Sequence, residues 1–184
     1  MWKKIALGLA GLILIVLVVA AFRPDHFEVR RSVLVRADPV RIYPYLADFH
    51  RWQAWSPWEH LDPAMKRTFE GPGEGRGAVY AWAGNDQVGQ GRMEIRQADP
   101  PATDKLQARL EIQLDFMEPM ASRNTTVFDL KGGSDGTDVI WTMSGPAPYV
   151  TRLMTLFVSM DRMIGKDFEA GLLKLRTAVE KGGA

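Results

Sequence analysis

Residues 148–181 read PYVTRLMTLFVSMDRMIGKDFEAGLLKLRTAVEK. Val150, Leu153, Met154, Phe157, Ile164, Phe168, Leu172, Leu175 and Val179 recur in steps of three, four and seven. That spacing predicts one long apolar stripe on a helix. Asp161, Arg162, Lys166, Asp167, Glu169, Lys174, Arg176 and Glu180 fall mainly off the stripe, as a solvated face requires. Pro146 and Pro148 mark its start, and Gly182-Gly183 its end. Roughly thirty helical residues measure about 45 Å. A helix of that length needs a broad apolar surface beneath its stripe.

The preceding chain supplies strands. In 105–116, Leu106, Ala108, Leu110, Ile112, Leu114 and Phe116 alternate with Gln107, Arg109, Glu111, Gln113 and Asp115, a half-buried strand. Further β-forming runs lie at 27–36, 65–70, 78–83, 88–98, 120–131 and 137–144, separated by Gly, Pro, Asn and Asp. Asp38-Pro39 begins a short helix to residue 48, bent near Pro44. Phe49, Trp52, Trp55 and Trp58 recur every three residues, which predicts one face of a helical turn. The resulting order is strand, two short helices, about six strands and a long terminal helix. This is an α+β fold, a curved antiparallel sheet wrapped around the last helix, with space between them for a ligand.

The N-terminus is different in kind. After Lys3-Lys4, residues 5–22 carry no charge and span about 27 Å as a helix, enough for a hydrocarbon core. We read 1–22 as a transmembrane anchor, 23–26 as a linker and 27–181 as the folded domain. The lysines place the N-terminus in the cytoplasm and the domain outside. A cleaved signal peptide ending at Val19-Ala20-Ala21 is the competing reading. The chain of 184 residues has no cysteine, which excludes disulfides and thiolate metal sites. A net charge of +1 gives no electrostatic reason to expect nucleic acid.

Several motifs carry a resemblance. They are Ala37-Asp38-Pro39, Leu46-Ala47-Asp48-Phe49 with Trp52, Trp55-Ser56-Pro57-Trp58, Gly75-Arg76-Gly77-Ala78 with Tyr80 and Trp82, and Gly89-Gln90-Gly91 with Met93 and Ile95. Thr142-Met143-Ser144-Gly145 and 164–172 complete the set. From 27 to 179 the chain resembles the START/Bet v 1-like (SRPBCC) superfamily, in its polyketide cyclase/dehydrase-like branch. The resemblance implies a helix-grip fold with a cavity for apolar small molecules. The anchor is not part of that pattern.

Trp55, Trp58, Tyr80, Trp82, Met93, Leu110, Phe128, Trp141 and Phe157 are the candidate ligand-binding residues. The expected partners are an apolar small molecule or lipid and the membrane. No cofactor and no metal are expected, because His26, His50 and His60 show no ligating spacing. Oligomeric state is not legible. Catalytic residues are not identifiable either; His60 beside Glu59 and Asp62 is the nearest to an acid–base group, while Asp115, Glu118 and Arg123 read as strand ends. The glycine loop 71–77 lacks phosphate-binding spacing and reads as a turn or cavity lid. Arg30-Arg31 reads as a strand edge facing anionic headgroups. Besides ligand binding, the sequence leaves open an enzyme acting on an apolar substrate and a cell-envelope interaction module.

Overall fold

The alternating run becomes strand β5 (Gln107–Glu118), whose inward Ala108, Leu110 and Ile112 are buried. The computed structural model describes residues 2–102 and 106–182, so Lys105, expected in this strand, lies outside the described residues. Six further strands join it: β1 (His26–Val35), β2 (Lys66–Glu70), β3 (Val79–Ala83), β4 (Gln90–Asp99), β6 (Ser122–Gly133) and β7 (Gly136–Pro146). They form one antiparallel sheet in the order β1-β7-β6-β5-β4-β3-β2. Register shifts between β4 and β5, at Gln90/Gly91 and Ile95/Gln97, help the sheet curve.

Register fixes which side chains share the inner face. One cross-strand row runs Ala98, Leu110, Phe128, Trp141 and Arg31. Another runs Phe69, Tyr80, Met93, Leu114 and Asn124. Side chains alternate along a strand, so each row follows from its strand's phase.

Helix α1 (Trp2–Ala21) precedes the sheet, and α2 (Pro39–Ala47) follows β1 and runs through Pro44. The Trp segment is not one helical face. It forms two 3-10 helices, Phe49–Ala54 and Pro57–His60, with fully buried Trp55 between them. Pro57, which opens the second helix, has no N–H to continue the first.

The terminal stripe is also divided. Helix α3 (Tyr149–Met154) ends, and α4 (Met160–Lys181) starts afresh behind Ser159, whose hydroxyl accepts from the Arg162 N–H at 3.2 Å. That N-cap supplies an acceptor for an N–H left over at the start of the helix. Helix α4 buries Phe168, Leu172, Leu175 and Val179, as its spacing predicts, together with Gly165 and Gly171. Phe157 lies in the break and is 76% exposed.

Ties at both ends hold α4 on the sheet. Arg31 sits at the open end of its row and donates to Asp161 at 2.8 and 3.0 Å and to Glu169 at 2.6 Å. These bonds hold the Asp161 carboxyl below its ordinary value. Arg31 is therefore a clamp on the helix and not a headgroup contact. A Cβ at Gly165 would collide with its guanidinium, so glycine there leaves the clamp its space. At the far end, Glu180 accepts from the Arg36 N–H at 2.9 Å and Arg41 donates to the Val179 carbonyl at 3.1 Å.

Candidate functional site

Rings from four elements meet under α4. Phe168 lies flat on Trp141, with centroids 3.8 Å apart and planes 8° apart. Trp55 meets Trp141 edge-on at 5.5 Å and Phe128 at 5.9 Å, and Phe128 touches Trp141 at 5.0 Å. Trp58 closes the group from the solvent side, 5.9 Å from Trp141 and 6.4 Å from Phe168. A Cβ at Gly171 would come within 3.1 Å of the Trp141 ring, so α4 approaches this closely only through glycine.

The rings continue toward β2. Trp52 joins Trp55 to Phe49 at 4.8 and 5.2 Å. Phe49 leads to Tyr80 at 5.9 Å, and Tyr80 stacks on Phe69 at 5.1 Å. Phe69 in turn stacks on His50 at 4.0 Å. Beyond Tyr80 lies Trp82, which crosses Phe116 at 5.8 Å. A cleft of about 210 Å³ opens at the Phe49–Phe69 end, with Gly71, Pro72 and Gly73 as its lip. A second concavity, of about 320 Å³, lies between α4 and Ala54 on the outer surface. Neither is the expected hollow. The space between sheet and helix is occupied by the rings themselves.

Of the sequence candidates, Trp55, Tyr80, Met93, Leu110, Phe128 and Trp141 are buried in one continuous core, and Trp58 and Trp82 pack on it half-buried. Phe157 is not among them. Phe168, Trp52 and Phe49, which are not among the nine candidates, join the rings. Phe168 carries the same spacing as any stripe residue, and only the strand register reveals which ring it faces.

One polar atom among these rings lacks a partner. The other buried indoles bond to backbone carbonyls: Trp52 to Leu46 at 3.1 Å and Trp55 to Tyr45 at 2.9 Å. Half-buried Trp82 does the same, to Val88 at 3.0 Å. The Trp141 Nε1–H is buried and meets no acceptor among the described residues. Such a donor costs about 1–3 kcal/mol relative to a bonded one.

The polar cluster beside the rings is differently built. Glu59 is buried. Its Oε1 accepts from the Tyr80 hydroxyl at 2.7 Å and its Oε2 from Arg67 Nε at 2.8 Å. Arg67 also donates to the Glu59 carbonyl at 2.8 Å and the Met65 carbonyl at 2.9 Å. Burial, then the bond to Glu59, pushes the Tyr80 phenol well above its ordinary value. Both carboxylate oxygens are occupied, so the group fastens the second 3-10 helix to β2 and β3. This meeting is not legible in the sequence, because its members are 8 and 21 residues apart.

The remaining polar candidates are dispersed. His60 bonds to the Gln53 carbonyl at 3.1 Å and does not join Glu59. His50 meets Asp48 at 3.0 Å, and His26 meets Asp25 at 2.8 Å. Asp115 receives Arg123 at 2.7 Å across the strands.

A profile described as polyketide cyclase / dehydrase and lipid transport matches residues 26–180. Among curated protein sequences, none matches this chain. Solved structures share the fold at low identity. A protein from Rhizobium leguminosarum is 13% identical, with a TM-score of 0.59, covering 85% of this chain and 96% of its own. A protein from Helicobacter pylori is 11% identical, with a TM-score of 0.60, covering 82% and 86%. The Aha1 dimer from Colwellia psychrerythraea is 18% identical, with a TM-score of 0.55, covering 86% and 99%. At these identities the likeness concerns architecture alone.

Proposed function

The chain belongs to the polyketide cyclase/dehydrase and lipid transport family, and from that premise we propose that it binds an apolar small molecule carrying an acceptor oxygen, a lipid or a polyketide-like compound, against Trp141, in room that the rings under α4 yield only when Trp58 moves aside. The observation that carries this reading is the unpaired Trp141 Nε1–H amid rings that otherwise offer only apolar contact. A ligand oxygen there satisfies the donor, and the ring faces supply burial worth roughly 25 cal/mol per Å². Trp58 is half-buried and closes the rings from solvent, so its displacement opens the route. Polyketide-type catalysis would need a free acid or base against the ligand, and Glu59 is already committed to Arg67 and Tyr80.

In the same proposal, residues 1–22 anchor the protein, 23–26 link it and 27–181 form the binding domain. Helix α1 is long and apolar enough to cross a membrane, with 6% of its window buried. With Lys3 and Lys4 inside, the domain stands on the extracytoplasmic side. Contacts between α1 and the domain support retention over cleavage. Tyr149 donates to the Leu17 carbonyl at 2.8 Å, and Arg152 to the Ala21 carbonyl at 3.1 Å.

The test uses the full chain in lipid nanodiscs, titrated with parinaric acid, a fluorescent fatty acid. Saturable energy transfer from tryptophan is expected, and Trp141→Phe should weaken it about 5- to 10-fold, the loss of one buried hydrogen bond. No saturable transfer, or equal affinity in the variant, would overturn the reading.

A further inference from the structure

A group of large apolar side chains stands outside the core at one end of the molecule. Phe22, Val150, Met154, Phe157, Val158 and Met163 are each more than half exposed. They come from the end of α1, from α3, from the break after it and from the start of α4.

Their depth follows from the bonds that join α3 to α1. Helix α1 has 20 residues and a length of about 30 Å, matching a hydrocarbon core. The Tyr149 hydroxyl reaches the Leu17 carbonyl, four residues before the helix ends. That point lies about 6 Å inside the end of the span. Helices that lie in a membrane interface bury their apolar face about 5–10 Å deep. Arg152 bonds to the Ala21 and Arg23 carbonyls, at the level where an arginine head meets phosphates. Tyr149 beside it, within 5.6 Å of that guanidinium, is an amphipathic ring at the same level.

We propose that α3 and the break 155–159 form a second membrane contact, inserted shallowly into the outer leaflet beside α1, with Phe157 as its tip. The occupant is the bilayer itself, because the patch is continuous with the segment that crosses it. The inference rests on α1 being a retained anchor. It makes the bilayer the medium next to α3 and the start of α4.

The chain has no cysteine, so single thiols can be placed at will. Phe157→Cys, Leu12→Cys and Leu106→Cys are labelled with nitrobenzoxadiazole in the full chain, reconstituted in phosphatidylcholine vesicles. Leu12 lies mid-helix in α1. Leu106 is exposed beside Gly132, at the end of the sheet opposite α1. Lipid spin-labelled near the headgroup should quench the Phe157 label several-fold more than the Leu106 label, while deep-labelled lipid quenches Leu12. Quenching at Leu12 with Phe157 no better than Leu106 overturns the second contact and leaves the anchor standing. A Phe157 label shielded from water yet untouched by spin-labelled lipid assigns the patch to protein and also overturns it. Absence of quenching at Leu12 removes the anchor and the inference together.

Discussion

Helices α3 and α4 share one apolar spacing and meet different surroundings. In α4 the stripe finds Trp141, Trp58 and Pro57, and glycines at 165 and 171 let it approach. In α3 and the residues after it, Val150, Met154 and Phe157 find no sheet beneath them. Periodicity reports that a face is apolar; it does not report what covers it. The difference between the two lies in the partner, which belongs to the sheet's register and to α1.

The sharpest way to break this contrast is truncation of one ring on each side. Phe168→Ala should cost about 3–5 kcal/mol in denaturant unfolding, since it removes a ring stacked on Trp141. Next, Gly171→Val should cost about 1–3 kcal/mol by pushing α4 off Trp141 and Pro57. A stability equal to wild type in either variant would mean that α4 is not seated as described. Acid should act third, and more gently. Asp161 has a lowered pKa in the folded state, so its contribution is present above the unfolded value near 3.8 and is lost as pH falls through the folded value. The pH dependence of unfolding below about pH 4 should flatten in Arg31→Met, which removes the clamp. The smallest effect belongs to Phe157→Ser, expected within about 0.5 kcal/mol in detergent. A cost as large as that of Phe168→Ala would place Phe157 in the core and erase the contrast.

Much of the architecture was legible. Alternation in β5, the turns between strands and the stripe of α4 each follow a period that a single strand or helix imposes. The break between α3 and α4 was not, because the apolar spacing runs on through 155–159 while Ser159 caps a new helix there. Six of the nine candidate residues are buried in one core, since large apolar residues in phase on a strand have one place to go. Whether they enclose space or fill it is a matter of side-chain volume across elements, which Trp141 against Phe168 illustrates. The meeting of Glu59, Arg67 and Tyr80 was not legible for the same reason: it is set by β2–β3 pairing and not by sequence distance. Arg31 lies on an edge strand, as its sequence suggests, but its bonds to Asp161 and Glu169 were not legible, because an edge strand in isolation gives no hint of the helix beside it.

The grip of Arg152 on the last carbonyls of α1 has a mechanical meaning. A tether of a few residues would ordinarily let a domain swivel, but here the joint is bolted from the side. Under the proposed anchoring, those two bonds restrict how the domain turns about the end of α1.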